Sequence, residues 1–98
     1  MFVAMVDIVL KDQKKDDFKT WISESNHVLS KFDGFISRRL LEGEDGTNRI
    51  LVEFENIELF KKMHQSSEHE QFAGQLGQFM AQPPKRNFFQ VLAESNEV

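Results

Sequence analysis

Cysteine and tyrosine are both absent from the 98 residues of this chain. Without cysteine there are no disulfides, thiolate nucleophiles, Cys-ligated zinc sites or iron–sulfur clusters. Without tyrosine no phenol of the protein can donate a proton or relay a radical, even though the chain carries ten Phe and one Trp. No apolar run approaches the ~20 residues that a membrane-spanning helix needs. The opening MFVAMVDIVL also lacks the basic start and small-residue cleavage site of a secretory signal, so a cytoplasmic protein with no membrane partner is expected. Basic residues form only short pairs such as Arg38-Arg39 and Lys61-Lys62, and the net charge is −4, which disfavours nucleic-acid binding by phosphate neutralisation. Site chemistry is therefore left to Asp, Glu, His, Arg, Trp and Ser. A chain of this length is one domain, residues 1–98, and such a domain buries only about two-thirds of its unfolded surface, so cover from a second copy would help it.

The hydrophobic pattern divides the chain into six elements. Phe2 to Leu10 is a β-branched apolar run interrupted by Asp7, as expected of a strand buried on both faces. Phe18, Trp21, Ile22, Ser25, Val28, Leu29 and Phe32 recur at helical spacing and predict an amphipathic helix over about 13–32, ending near Asp33-Gly34, with His27 on its solvent side. Two strand-like runs, Phe35 to Glu42 and Arg49 to Glu55, flank a Gly-Glu-Asp-Gly-Thr-Asn hairpin loop. A second helical region begins near Ile57, restarts after Ser67 and stops at Pro83-Pro84. Asn87 to Ala93 is the last strand, followed by a frayed tail over 94–98. The order β-α-β-β-α-β predicts the α+β ferredoxin-like fold, an antiparallel sheet with two helices on one face.

Strand parity then sorts the side chains. The hairpin register pairs 41 with 49 and 37 with 53, which places Ile36, Leu40, Ile50, Val52 and Phe54 under the helices. The other face carries Val3, Met5, Asp7, Val9, Ser37, Arg39, Leu51 and Glu53, and neither parity of the last strand stands out. That mixture suits an apolar pocket with a few polar groups. Asp7 is its sharpest candidate, since a carboxylate in an apolar strand can act as a general base; an ion pair with Arg39 or an interface hydrogen bond is the structural alternative. Arg39 is a candidate anion-stabilising donor, or a partner of Glu53 or Asp7, and Glu53 itself is a candidate binding or cross-strand residue. Trp21 lies on the helix stripe and reads as core.

The stretch MHQSSEHEQF, residues 63–72, holds His64 and His69. Five residues apart, they would point about 140° apart on one continuous helix, which argues against a helix-borne metal pair. Ser67 to Glu70 matches a capping box and predicts a helix start there. It turns His69 toward the stripe of Phe72, Leu76 and Phe79, either as a proton carrier at a cavity mouth or as a first-turn residue with a backbone partner. His64 reads as an exposed residue at the end of the preceding helix.

The strings FDGFISRRLLEGEDG, RILVEFENIELFKKMHQSSEHEQFAGQL and FMAQPP together resemble the antibiotic biosynthesis monooxygenase domain family over residues 2–93. The matching features are Gly34-Phe35, Glu53-Phe54-Glu55, Ser66 to His69 and Pro83-Pro84. The resemblance implies a dimeric α+β barrel in which two open sheet faces meet. It also implies cofactor-independent oxygenation of quinols or polyketide phenols, haem degradation, or isomerisation of small signalling sugars; fold alone does not choose. Haem-degrading relatives carry tryptophan, histidine and asparagine where Met63, Ala73 and Asp7 stand here, so that activity is the least expected.

The resulting expectation is a homodimeric, cofactor-free monooxygenase, with no metal, acting on a small aromatic or quinol-like molecule. Asp7 would be the base, His69 a proton carrier and Arg39 an anion-stabilising donor, with Met5, Ser37, Leu51, Glu53 and Phe72 around the substrate. The alternative is a non-catalytic ligand-binding or stress-associated barrel.

Overall fold

A computed structural model describes residues 1–95. The elements follow the expected order: β1 (Phe2–Ile8), α1 (Lys15–Leu29), β2 (Phe35–Glu42), β3 (Asn48–Phe54), α2 (Ile57–His64), α3 (Ser67–Leu76) and β4 (Lys85–Gln90), with a 3-10 turn over Gly77–Phe79 after α3. The strands form one antiparallel sheet in the order β2-β3-β1-β4. This is the ferredoxin-like α+β arrangement, with the helices on one face. The fourth strand begins at Lys85 and ends at Gln90, earlier than expected, and residues 96–98 of the expected tail lie outside the described residues. Among the described residues no helix is long and apolar enough to cross a membrane.

The core follows from the two periodicities. Phe2, Ala4 and Ile8 of β1 and Ile50, Val52 and Phe54 of β3 are buried beneath Phe18, Ile22 and Leu29 of α1 and Met63 of α2. Phe54 is closed off by edge-on rings of Phe35 and Phe60. The hairpin register is the expected one, Leu41 opposite Arg49 and Ser37 opposite Glu53. It is interrupted by a bulge between Phe35 and Ser37, which corrects one assignment: Ile36 is the extra residue and is exposed, while Phe35 packs on the core.

The return from α1 to β2 depends on Gly34. Its φ of +81° is costly for a side-chain-bearing residue, and a Cβ there would sit 2.9 Å from Leu59 Cβ. That close approach seats the first turn of α2 against the turn that leads into β2. Asn56 caps α2 by accepting from the Leu59 amide at 2.9 Å. The cap of α3 is Ser66, whose Oγ accepts from the His69 amide at 3.1 Å. The expected box at Ser67 and Glu70 does not form; the Ser67 hydroxyl instead donates to Glu68, 3.2 Å away.

Candidate functional site

The break between α2 and α3 at Gln65-Ser66 brings His64, the last residue of one helix, beside His69, in the first turn of the next. Their ring centroids are 4.3 Å apart and their planes inclined by 34°. Both rings line a cavity of about 100 Å³ between the sheet and the helices. Ala4, Val6, Ile50 and Val52 form its floor, where two small side chains leave space beneath Phe60, Met63, Phe72, Ala73 and Leu76. A more open cavity of about 240 Å³, toward Phe2 and Ile57, shares the walls Phe60, His64 and Phe88.

Two arginines line the inner cavity, and among the described residues no Asp or Glu does. Arg38 enters from β2, opposite Val52 in the register. Its Nε donates to Asn26 Oδ1 at 2.6 Å, and its Nη2 donates to the Ile22 carbonyl at 3.1 Å and to Ser25 Oγ. The guanidinium lies 5.8 Å from the Trp21 ring centroid, within cation–π range. All these acceptors are neutral. Among the described residues no carboxylate forms an ion pair with Arg38, and its Nη1 donates no hydrogen bond to them. Burial lowers its pKa to about 10, which still leaves it protonated at neutral pH. Arg86 enters from β4, opposite Val6.

The imidazoles respond to this environment. Burial, then the charges of His64, Arg38 and Arg86, push His69 down to about 4, and burial together with Arg86 lowers His64. Both rings are therefore in the neutral form at pH 7. Among the described residues no three His, Cys, Asp or Glu side chains are grouped to hold a metal ion.

The residues singled out from sequence fall on two opposite faces. His69 and Phe72 line the cavity. Met5, Asp7, Ser37, Arg39, Leu51 and Glu53 lie on the face without helices, as their parity requires. There Asp7 accepts from Arg49 Nε at 2.5 Å rather than pairing with Arg39, and Glu53 accepts from Arg39 at 2.9 Å and from the Ser37 hydroxyl at 2.7 Å. The structure does not bring Asp7 or Arg39 to His69. Trp21 does pack against Phe18, with ring centroids 5.5 Å apart, and it also lines the cavity, its Nε1 donating to Gln75 at 2.8 Å. His64, expected as an exposed helix-end residue, lines the cavity, as do Arg38, Arg86 and Phe88, which were not singled out from sequence. The alternation that puts Leu40 under the helices includes Arg38, so the signal for the main one was present.

An antiparallel ferredoxin-like domain with a cation-lined cavity between sheet and helices is the class that fold and site define. No family model matches the sequence, and no curated protein is significantly similar to it. Its fold is shared with solved structures. A protein of Mycobacterium tuberculosis superposes with a TM-score of 0.83 at 14% identity, over 97% of this chain and 98% of that one. Two provisionally named antibiotic biosynthesis monooxygenases match equally well. The one from Nitrosomonas europaea has a TM-score of 0.82 at 16% identity over 95% and 100% of the two chains. The one from Deinococcus radiodurans has 0.83 at 11% over 100% and 99%. The fold is thus of the antibiotic biosynthesis monooxygenase type, as the motif resemblance implied.

Proposed function

We propose that the chain is a cofactor-independent monooxygenase, a cytoplasmic homodimer whose substrate is a small electron-rich phenol, quinol or polyketide-like aromatic. The observation that carries this reading is the cavity's combination of two neutral imidazoles with an unpaired guanidinium inside apolar walls. The fold type shared with the solved structures supports it. His69, backed by His64, takes the phenolic proton, and Arg38 stabilises the phenolate through its spare Nη1 donors. The electron-rich ring carbon then reacts with dioxygen. For a phenol oxidised to a para-quinone, substrate plus O2 gives quinone plus water: one oxygen atom joins the ring and the other leaves as water. All four electrons come from the substrate, so no external reductant enters.

In this reading His69 keeps the proton-transfer role expected of it. The base and anion-stabilising roles expected of Asp7 and Arg39 pass to the histidine pair and Arg38. The open face, where Val9, Leu41 and Phe89 are exposed beside Met5 and Leu51, is where the second copy would pack. The test is oxygen uptake by purified protein with a panel of hydroquinones and phenols. One O2 consumed per substrate, and at least tenfold slower uptake in His69→Gln, is expected; no uptake across the panel defeats the reading. The narrow inner cavity also suits a binding protein without turnover, which saturable ligand binding without oxygen consumption would establish.

A further inference from the structure

Arg38 and Arg86 stand on the two outer strands of the sheet, β2 and β4, and both line the same cavity. Three strand spacings and a two-residue offset along the strand separate them, about 16 Å in the sheet, with the small side chains of Ala4 and Val52 on the floor between. The two cations thus flank an apolar gap from opposite edges. Neither has a carboxylate partner among the described residues. The chain's other two arginines are matched: Arg39 with Glu53 and Arg49 with Asp7. A desolvated cation held only by neutral acceptors costs stability, and an anion delivered by a ligand offsets that cost.

We propose that the cavity takes a single-ring hydroxyaryl carboxylate, with the carboxylate at Arg86 and the phenolic oxygen at Arg38. The assignment of ends follows from solvation. Arg86 lies on the exposed edge strand, where a permanently charged carboxylate keeps part of its water. Arg38 is half-buried behind Trp21 and α1. A phenol is neutral in water, so it reaches that end at small desolvation cost and loses its proton only there, to the imidazole pair. An apolar cavity of about 150 Å³ admits one benzene ring, and here the inner cavity of about 100 Å³ continues at Ala73, Leu76 and Arg86 into an open space of about 450 Å³ that takes the carboxylate end. The inference rests on reading the cavity as the substrate site and adds the permanent negative charge of the substrate.

Trp21, the chain's one tryptophan, lines the cavity and reports binding through its fluorescence. Titrations compare 4-hydroxybenzoate with its methyl ester, which keeps ring and phenol but removes the charge. The acid is expected to bind at least tenfold more tightly than the ester. Arg86→Gln, on an exposed edge position, should abolish that preference while leaving ester affinity within twofold. Equal affinity for acid and ester, no saturable change with the acid, or a preference that survives Arg86→Gln would overturn the proposal. Binding is read without turnover, so an absence of oxygen uptake bears on the oxygenase reading alone.

Discussion

The rings of His64 and His69 lie 4.3 Å apart at centroid, although five residues separate them along the chain. On one continuous helix that spacing would keep them on different faces. The break capped by Ser66 folds the second helix back and places the two rings together at the cavity. Burial first, and the nearby charge of Arg86 after it, lowers both imidazoles and favours their neutral forms.

That electrostatic environment predicts a specific pH response. The titratable and charged groups lining the cavity, among the described residues, are His64 of α2, His69 of α3, Arg38 of β2 and Arg86 of β4. His69 is pushed from 6.5 to about 4, so between those values the unfolded chain binds more protons than the folded one. Stability should therefore be fully present above pH 6.5 and fall as the pH drops toward 4. Melting temperatures across this range should show the slope, and His69→Gln should flatten it. An NMR titration should place the His69 midpoint well below 6.5, and a bound aromatic carboxylate should raise it.

Arg38→Met should separate stability from binding. The thioether fills the space over Trp21 and removes a desolvated, unpaired charge, while the Ser25 hydroxyl keeps its bond to the Ile22 carbonyl at 3.2 Å. Replacing such a charge by an apolar side chain is commonly neutral or stabilising, so unfolding free energy should change by no more than about 1 kcal/mol in urea melts. Affinity for phenolic ligands should nevertheless fall at least tenfold in the Trp21 fluorescence titration.

Ser66→Ala and Ser67→Ala distinguish the observed cap from the expected one. Loss of the bond to the His69 amide should cost about 1 kcal/mol, whereas removing the exposed Ser67 hydroxyl should cost less than about 0.5 kcal/mol. Ser66→Ala should also slow turnover, because the cap orients the turn that carries His69. Chemical denaturation and oxygen uptake on both variants check the two claims.

Gly34→Ala strains both the backbone and the contact with Leu59. A left-handed φ of +81° and a Cβ 2.9 Å from Leu59 Cβ together should cost about 2–4 kcal/mol, measured as a lower urea midpoint.

The fold was legible because it rests on short-range patterns. Alternation in Ile50, Val52 and Phe54, and the helical spacing of Phe18, Ile22 and Leu29, determine which faces meet. The hairpin register followed from the loop between Glu42 and Asn48, and only the bulge at Ile36 escaped it. The site was less legible, because a cavity arises where packing is incomplete. Ala4 and Val52 are ordinary core residues in the sequence, and no local pattern marks the space left between them and Phe72 and Leu76. Arg38 was hidden for a related reason: a charge at a helix-facing position looks like an error in the pattern until its acceptors on α1 are seen. The open face drew attention instead because Asp7 interrupts an apolar strand, and that carboxylate is matched by Arg49 on the neighbouring strand.

Substitutions on the open face should act on assembly rather than on the cavity. Asp7→Ala removes an exposed cross-strand pair with Arg49, so it should change stability by less than about 1 kcal/mol and ligand affinity by less than twofold. Phe89 lies opposite Val3 on the same face and is half-exposed in the single chain. If two copies pack through this face, Phe89→Glu places a carboxylate in an apolar contact and should shift the protein to monomers in sedimentation equilibrium. The isolated chain loses no buried contact by that change, so its helical circular dichroism should persist. A dimer that survives Phe89→Glu unchanged would move the interface elsewhere. Retention of 4-hydroxybenzoate binding by the monomeric variant would show that the cavity is complete within one chain.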